Sequence, residues 1–148
     1  MPVSENIAAG LKSRFPGHVH GIEETMPRKY SIRIDRDIVR EAARYMKEQG
    51  GRFIISAGVD LRESGKGFDV THIFSLDPEK AFVSIKASLD GTHPRIQSIT
   101  PVIPGACWAE LEFRDLLGIE LDGHPDPKRL VLSEDWPDDV FPLRRDVP

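Results

Sequence analysis

The sequence predicts an α+β fold, a two-layer sandwich in which helices cover one β-sheet. Helix-like and strand-like segments follow in the order helix, two strands, helix, three strands and helix, which is too irregular for a repeating βαβ unit. A proline-rich segment follows the last helix, and only residues 130–132 are apolar enough for a short strand there. We therefore predict an α+β domain at residues 1–121 and an extended, partner-binding tail at residues 122–148.

The first half of the chain predicts a helix, two strands and a second helix. Ile7, Leu11 and Phe15 repeat every four residues, as they do on one side of a helix. The segments HVHGIEE and KYSIRID come next, and the second alternates apolar with polar residues like a strand with one hydrated face. The second helix is predicted over residues 36–49, where an apolar stripe precedes two glycines.

Three strands and a helix are predicted in the second half of the domain. RFIISAGVDL is apolar on both sides, which is typical of a strand in the centre of a sheet. GFDVTHIFSL and AFVSIKASLD each present one apolar side, and the polar loop RESGKG precedes the first of them. The last helix is predicted from Cys107 to Leu117, and Gly118 suits the left-handed position that commonly ends a helix.

Composition is typical of a soluble globular domain. Hydrophobic residues make up 39% and charged residues 30% of the 148 positions. The apolar runs fall far short of the roughly 20 residues of a membrane-spanning helix, and the first fifteen residues lack a secretory signal. The formal net charge of −4 disfavours general nucleic-acid binding, which normally needs a basic surface. A single cysteine, Cys107, excludes an internal disulfide framework and indicates a reducing compartment.

The last helix has apolar residues on two sides. One apolar arc consists of Ala109, Phe113, Leu116 and Leu117. Trp108 and Leu111 lie well away from this arc, and Glu110 and Arg114 stand four residues apart in the order that favours an ion pair. Because a helix with two apolar sides usually contacts two bodies, we expect one side to cover the sheet and the other to face the tail or another protein.

The last forty residues carry a series of motifs. Trp108 begins WAELEFRDLLGI, and GHPD at residues 123–126 and PLRRD at residues 142–146 follow. This series resembles the 30-kilodalton subunit of respiratory NADH:quinone oxidoreductase, or complex I, and the matching subunit of membrane-bound nickel–iron hydrogenases. Two positions depart from the family pattern, since Leu111 replaces an arginine and Arg145 replaces a lysine.

The resemblance implies a two-layer fold whose β-sheet is mixed, with an α-β-β-α-β-β-β core. It also implies an accessory subunit that is not catalytic alone and that binds no flavin, metal or iron–sulfur cluster. A large hydrogenase-like subunit and a cluster-bearing small subunit would supply the quinone, flavin or nickel–iron chemistry. We therefore expect a peripheral position on the cytoplasmic side of the cell membrane. We also expect a tail that wraps a neighbour, whose carboxylates meet the basic pairs of the tail. The partner-binding residues implied are Trp108, Glu110, Glu112, Asp115, His124, Asp126, Lys128, Arg129, Arg144, Arg145 and Asp146.

Three other functions are compatible with individual residues. Glu112, Asp115 and His124 could serve a small stand-alone hydrolase or lyase as acid–base groups. Asp122, His124 and Asp126 offer atoms that bind zinc, although neighbouring positions of an extended chain point to alternate sides. The α+β pattern also occurs in RNA-binding modules, which need aromatic residues on the exposed side of the sheet.

Overall fold

Helices and strands follow the predicted order in the computed structural model, which describes residues 3–146, with side chains from residue 5 onward. The helices are α1 (Val3–Arg14), α2 (Val39–Glu48) and α3 (Cys107–Leu117). The strands are β1 (Val19–Met26), β2 (Lys29–Ile34), β3 (Arg52–Asp60), β4 (Phe68–Leu76), β5 (Ala81–Leu89), β6 (Arg95–Gln97) and β7 (Glu120–Asp122). The predicted α+β fold is confirmed. Within the described residues, no helix has the length and apolar character needed to cross a membrane.

The main sheet has the strand order β1-β2-β5-β4-β3, in which only β2 and β5 are parallel. The prediction that β3 is central is wrong, because β3 forms an edge. The side of β3 that faces α3 carries Gly58 between the buried Ser56 and Asp60, and an added Cβ at Gly58 would come within 2.8 Å of Leu117 on α3. On the other side, Ile55 and Val59 are 50% and 43% exposed. The apolar side of β3 therefore faces solvent in the isolated chain.

The core lies between the helices and one face of the sheet. Strand β4 contributes Phe68, Val70 and Phe74, and β5 contributes Val83 and Ile85, all of them at most 1% exposed. These are alternate positions along each strand, as expected for strands with one apolar side. The predicted orientation of both strands is confirmed.

The second helix begins later than predicted. Residues 36–38 form a 3-10 turn, and α2 proper begins at Val39. From the first turn of α2, Arg40 donates through Nε to the Ser98 carbonyl at 2.7 Å and through Nη2 to the Asp122 carbonyl at 2.6 Å. These bonds hold a small parallel sheet, β6 paired with β7, against α2. The sequence did not predict this sheet, which brings the chain into and out of α3.

Candidate partner interface at the last helix and the tail

Trp108 and Leu111 on α3 have opposite environments. Trp108 is 73% exposed, whereas Leu111 is 1% exposed although it lies outside the main core cluster. The predicted second apolar side of α3 therefore divides into a covered residue and a solvent-facing one. A fully buried position suits leucine where the family pattern has arginine, because a buried cation would need a paired charge.

Glu110 holds the loop that leads into α3. Its carboxylate is fully buried and accepts hydrogen bonds from the Ser98 hydroxyl at 2.7 Å and the Ile99 N–H at 2.9 Å. Thr100 donates to the same carboxylate through both its N–H and its hydroxyl. These donors replace the water that a buried carboxylate loses. The predicted ion pair between Glu110 and Arg114 is wrong, because the Glu110 carboxylate is turned inward to this loop.

Asp115 anchors the tail to α3. Its Oδ2 accepts the backbone N–H groups of Leu130, Val131 and Leu132 at 2.9, 2.8 and 3.2 Å. Three successive donors around one anion require a curved backbone, so the short strand considered for these residues does not form. The Asp115 side chain is only 1% exposed, and the three N–H groups supply the hydrogen bonds that stabilise its charge.

The end of the tail packs against the C-terminus of α3. The Leu143 N–H donates to the Leu116 carbonyl at 3.0 Å, and Arg144 Nε donates to the Leu117 carbonyl at 2.7 Å. These carbonyls belong to the last helical turn, where C=O groups lack a partner within the helix. The Arg144 guanidinium also lies over the Phe141 ring, 4.5 Å from its centre. The tail therefore caps α3.

Gly118 permits this close approach of the tail. It has a φ of 71° and ends α3 in the left-handed conformation, as the sequence predicts. A Cβ at this position would lie 2.7 Å from both Arg144 Nη2 and the Phe141 ring. The backbone conformation and the available space therefore both require glycine.

Arg62 links the loop between β3 and β4 to the end of the tail. It pairs with the buried Asp60 and with Asp146, each at 2.7 Å. The Arg145 N–H donates to Asp60 at 3.1 Å, and the Arg145 side chain pairs with Glu63 at 3.2 Å. The Arg62 guanidinium holds the pKa of the Asp60 carboxyl well below its usual range. We expected Arg145 to pair with carboxylates of a neighbouring protein, but it contacts Glu63 and Asp60 of its own chain.

Arg129 holds the middle of the tail. Its guanidinium donates to the Ser133 and Glu134 carbonyls at 2.7 and 3.0 Å and pairs with Asp138 at 2.7 Å. Residues 123–146 contain no helix or strand. Their order comes instead from side chains that bind backbone groups, which is how an irregular segment satisfies its polar atoms.

His124 is buried at the start of the tail. Its Nδ1 accepts the Asp126 N–H at 3.1 Å, and its Nε2 has no hydrogen-bond partner within the part of the chain that the structure describes. Asp122 pairs with Arg95 at 2.5 Å, and Asp126 pairs with Lys128 at 3.0 Å. The three residues considered for zinc are therefore engaged separately. Between residues 3 and 146 there is no group of three or more His, Cys, Asp or Glu side chains suited to a metal ion.

The three residues considered for hydrolysis do not form one site. Glu112 lines a groove between β3 and α3, and Asp115 lines a different cavity beneath the tail. His124 lines neither of them. A general acid and a general base must both reach one bound substrate, whereas these side chains line separate cavities or none of them. The geometry therefore gives no support to a hydrolase or lyase.

The structure turns three of the implied partner-binding residues inward. Glu110, Asp115 and His124 are 0%, 4% and 7% exposed, so they organise loops and offer no contact surface. The other implied residues stay predictions as partner contacts: Trp108, Glu112, Asp126, Lys128, Arg129, Arg144, Arg145 and Asp146. Sequence reasoning missed Asp60 and Arg62, which fix the end of the tail. They lie in the segment GVDLRE, which carries no sequence signal that connects it to residues 145 and 146.

Comparisons with known proteins cover most of the chain. Residues 32–148 match the family described as "Respiratory-chain NADH dehydrogenase, 30 Kd subunit". The chain is 35% identical, over 97% of its length, to hydrogenase-4 component G of Escherichia coli, of which the match covers 26%. It is 32% identical, over 98% of its length, to the C/D subunit of NADH-quinone oxidoreductase from Methylococcus capsulatus, again covering 26%. The chain thus spans about a quarter of the length of these relatives.

A solved structure has a similar fold. A chain of the membrane-bound sulfane sulfur reductase, described as an archaeal respiratory membrane complex, superposes with a TM-score of 0.75 and 19% identity. The superposition covers 99% of this chain and 86% of that chain. At this identity the likeness concerns the fold, and it extends over both the α+β domain and the tail.

Proposed function

The chain belongs to the family of the respiratory-chain NADH dehydrogenase 30 Kd subunit, and from this premise we propose that it is an accessory subunit of a complex-I-like or hydrogenase-type oxidoreductase. In this proposal the chain does not carry out the reaction. It packs against a large hydrogenase-like subunit, beside a cluster-bearing small subunit, and it fixes the geometry of the assembly. The chemistry takes place in those other chains.

The observation that carries the proposal is that, in two relatives, the region similar to this chain is part of a longer polypeptide. In each of them, the region similar to this chain makes up 26% of a longer polypeptide, and one bears the double designation C/D. Two regions joined in one polypeptide stay at a high effective concentration, which favours a lasting contact between them. We infer that this chain keeps a corresponding contact with a protein similar to the remainder of those relatives.

The proposal extends to cofactors and location. The flavin, iron–sulfur, quinone or nickel–iron centres belong to the partner subunits, and this chain holds none of them. The cysteine content of the chain supports the proposal that it holds no iron–sulfur cluster. Cys107 is its single cysteine, and such a cluster usually takes about four thiolates. The chain occupies a peripheral position on the cytoplasmic side of the membrane, where its partners hold it.

Purification of the native complex tests the proposal. We expect a tagged copy of the chain, expressed in its own organism, to retain a hydrogenase-like large subunit and a cluster-bearing subunit after membranes are solubilised in mild detergent. Peptide mass spectrometry identifies the retained proteins, and the untagged parent strain controls for adsorption. Recovery of the chain alone, or with proteins unrelated to any oxidoreductase, would contradict the proposal.

A further inference from the structure

We propose that five exposed apolar residues around α3 form the docking surface for the large subunit, and that the matching surface of that subunit is apolar at its centre and basic at its rim. This inference rests on the proposed function and names the contact through which it operates. The five residues, called the α3 surface below, are Ile55, Trp108, Leu130, Val131 and Leu143.

Exposed apolar side chains are concentrated at one end of the molecule. Ten large hydrophobic residues are exposed in the described part of the chain; three of them lie on β3, one on α3 and three in the tail. At the opposite edge of the sheet, β1 contributes only Ile22 and Met26. Single exposed hydrophobic residues are normal on a soluble protein, but a concentration of them marks a protein-binding site.

The five residues lie around one helix. Trp108 and Asp115 are seven residues apart on α3, so they share a helical face and lie about 10 Å from each other along the axis. Since Asp115 binds the backbone of residues 130–132, the exposed side chains of Leu130 and Val131 are held on the face that carries Trp108.

A groove of about 180 Å³ extends the surface toward the edge of the sheet. Its lining includes Ile55 on β3, Ala109 and Glu112 on α3, and Leu143 in the tail. Ala109 follows Trp108 directly and Glu112 lies one helical turn beyond it, so the groove continues from the tryptophan. The partner therefore meets one connected surface made of β3, α3 and the tail.

This surface is formed before any partner binds. The bonds of Asp115, Arg144 and Arg62 hold the tail against the domain, so its apolar side chains are positioned in the isolated chain. A surface that is already ordered avoids the entropy cost of ordering its loops and side chains on binding. Tryptophan at the centre of such a surface is the residue type that most often carries the binding energy.

The charges around this surface indicate the chemistry of the partner. The tail cations Lys128, Arg129 and Arg145 pair with carboxylates of the chain itself. The exposed carboxylates Glu112, Glu134, Asp135 and Asp139 form no ion pair with a residue between 3 and 146. Arg144 is the one tail cation without an ion pair among residues 3–146, so the four carboxylates leave an excess of negative charge beside the apolar residues. This charge complements basic side chains at the rim of the partner surface.

Two charged substitutions test the surface in the assembled complex. We expect Trp108→Glu and Val131→Glu to reduce the large subunit recovered with the tagged chain at least tenfold, because each places a new carboxylate at the centre of the contact. Met26→Glu is the matched control, since Met26 is 57% exposed but lies on β1. It should leave recovery unchanged, and urea unfolding of each purified variant checks that the fold is retained.

The outcomes separate this inference from the proposed function. If the unsubstituted chain retains no large subunit, the proposed function fails and the inference fails with it. If it retains the large subunit and both α3-surface variants do so equally well, only the inference is overturned. Raising the salt concentration from about 0.1 M to about 0.5 M shortens the Debye length from about 10 Å and so screens exposed charges. If the chain retains the large subunit equally well over this range, the partner surface has no basic rim.

A photo-cross-linking amino acid at position 108 identifies the occupant even where a variant fails to fold. A cross-link to the large subunit, mapped to an apolar segment of that subunit, supports the inference. A cross-link to a second copy of the chain, or to the small subunit alone, overturns it.

Discussion

A buried histidine, His72 on β4, shows how much one residue can control stability. His72 is 2% exposed, its Nδ1 lies 2.5 Å from the Ser56 hydroxyl, and its Nε2 has no partner among residues 3–146. Burial lowers the pKa of His72 from 6.5 to about 4, because an imidazolium at this position would have little to replace its lost water. The folded chain therefore holds the neutral ring over most of the physiological pH range.

This lowered pKa predicts a loss of stability in mild acid. Above pH 6.5 the ring is neutral in both the folded and the unfolded chain, so His72 has no effect on pH dependence there. As the pH falls from about 6.5 to about 4, only the unfolded chain takes up the proton, and the free energy of unfolding falls by about 3 kcal/mol. Below pH 4 this contribution is constant. Urea unfolding at pH 7.5, 5.5 and 4.5 measures the loss.

The variant His72→Gln separates this effect from other titrating groups. Glutamine keeps a polar side chain of similar length but takes up no proton, so the exposed histidines and carboxylates titrate in both proteins. The difference between the free energies of unfolding of the two proteins should therefore stay constant above pH 6.5. It should change by about 3 kcal/mol as the pH falls from about 6.5 to about 4. If the two unfolding curves shift equally between pH 7.5 and 4.5, burial does not suppress protonation of His72.

At the scale of elements, α3 serves as the structural support for the tail. One of its carboxylates binds residues 130–132, its last carbonyls bind residues 143 and 144, and Gly118 gives the space for both Phe141 and Arg144. Asp115 and Glu112 stand one turn apart and have opposite roles. Asp115 is covered and accepts three backbone N–H groups, whereas Glu112 faces solvent. These two positions offer a matched pair of substitutions.

Asp115→Ala should destabilise the chain by about 2–3 kcal/mol, because three backbone donors lose a charged acceptor. Glu112→Ala should change the free energy of unfolding by less than about 0.5 kcal/mol, as is usual at an exposed site. Urea unfolding measures both values. Hydrogen exchange should also show faster exchange at Leu130, Val131 and Leu132 in the Asp115 variant alone. Equal effects of the two substitutions would mean that Asp115 does not hold the tail.

Local patterns predicted the elements, and contacts between distant residues account for the differences. The bounds of α3, the glycine that ends it and the buried faces of β4 and β5 follow from spacing within a few residues, which sequence displays directly. The edge position of β3 does not follow from such spacing. A segment with an apolar pattern on both sides can be either a central strand or an edge strand beside an uncovered surface. Likewise, the link between Asp115 and residue 131 spans 16 positions without any periodic signal.

At the scale of the whole molecule, the tail is a part of the folded domain. We expected an extended segment that wraps a neighbour, but hydrogen bonds and ion pairs fasten it at Asp115, at the end of α3 and at Arg62. Its partner-binding role stays a prediction and takes a different form. The tail contributes to a surface that the chain itself builds, and the domain boundary at residue 121 stays a prediction.

Removing the tail should therefore destabilise the domain itself. In a chain that ends at Pro127, Asp115 loses its three N–H donors, and we expect the free energy of unfolding to fall by at least about 3 kcal/mol. The slope of that free energy against urea should also fall, because less surface becomes exposed on unfolding. Circular dichroism in urea measures both quantities, with full-length Trp108→Ala as a control whose exposed side chain should alter stability little. A tail that served only a neighbour would leave both the free energy and the slope unchanged.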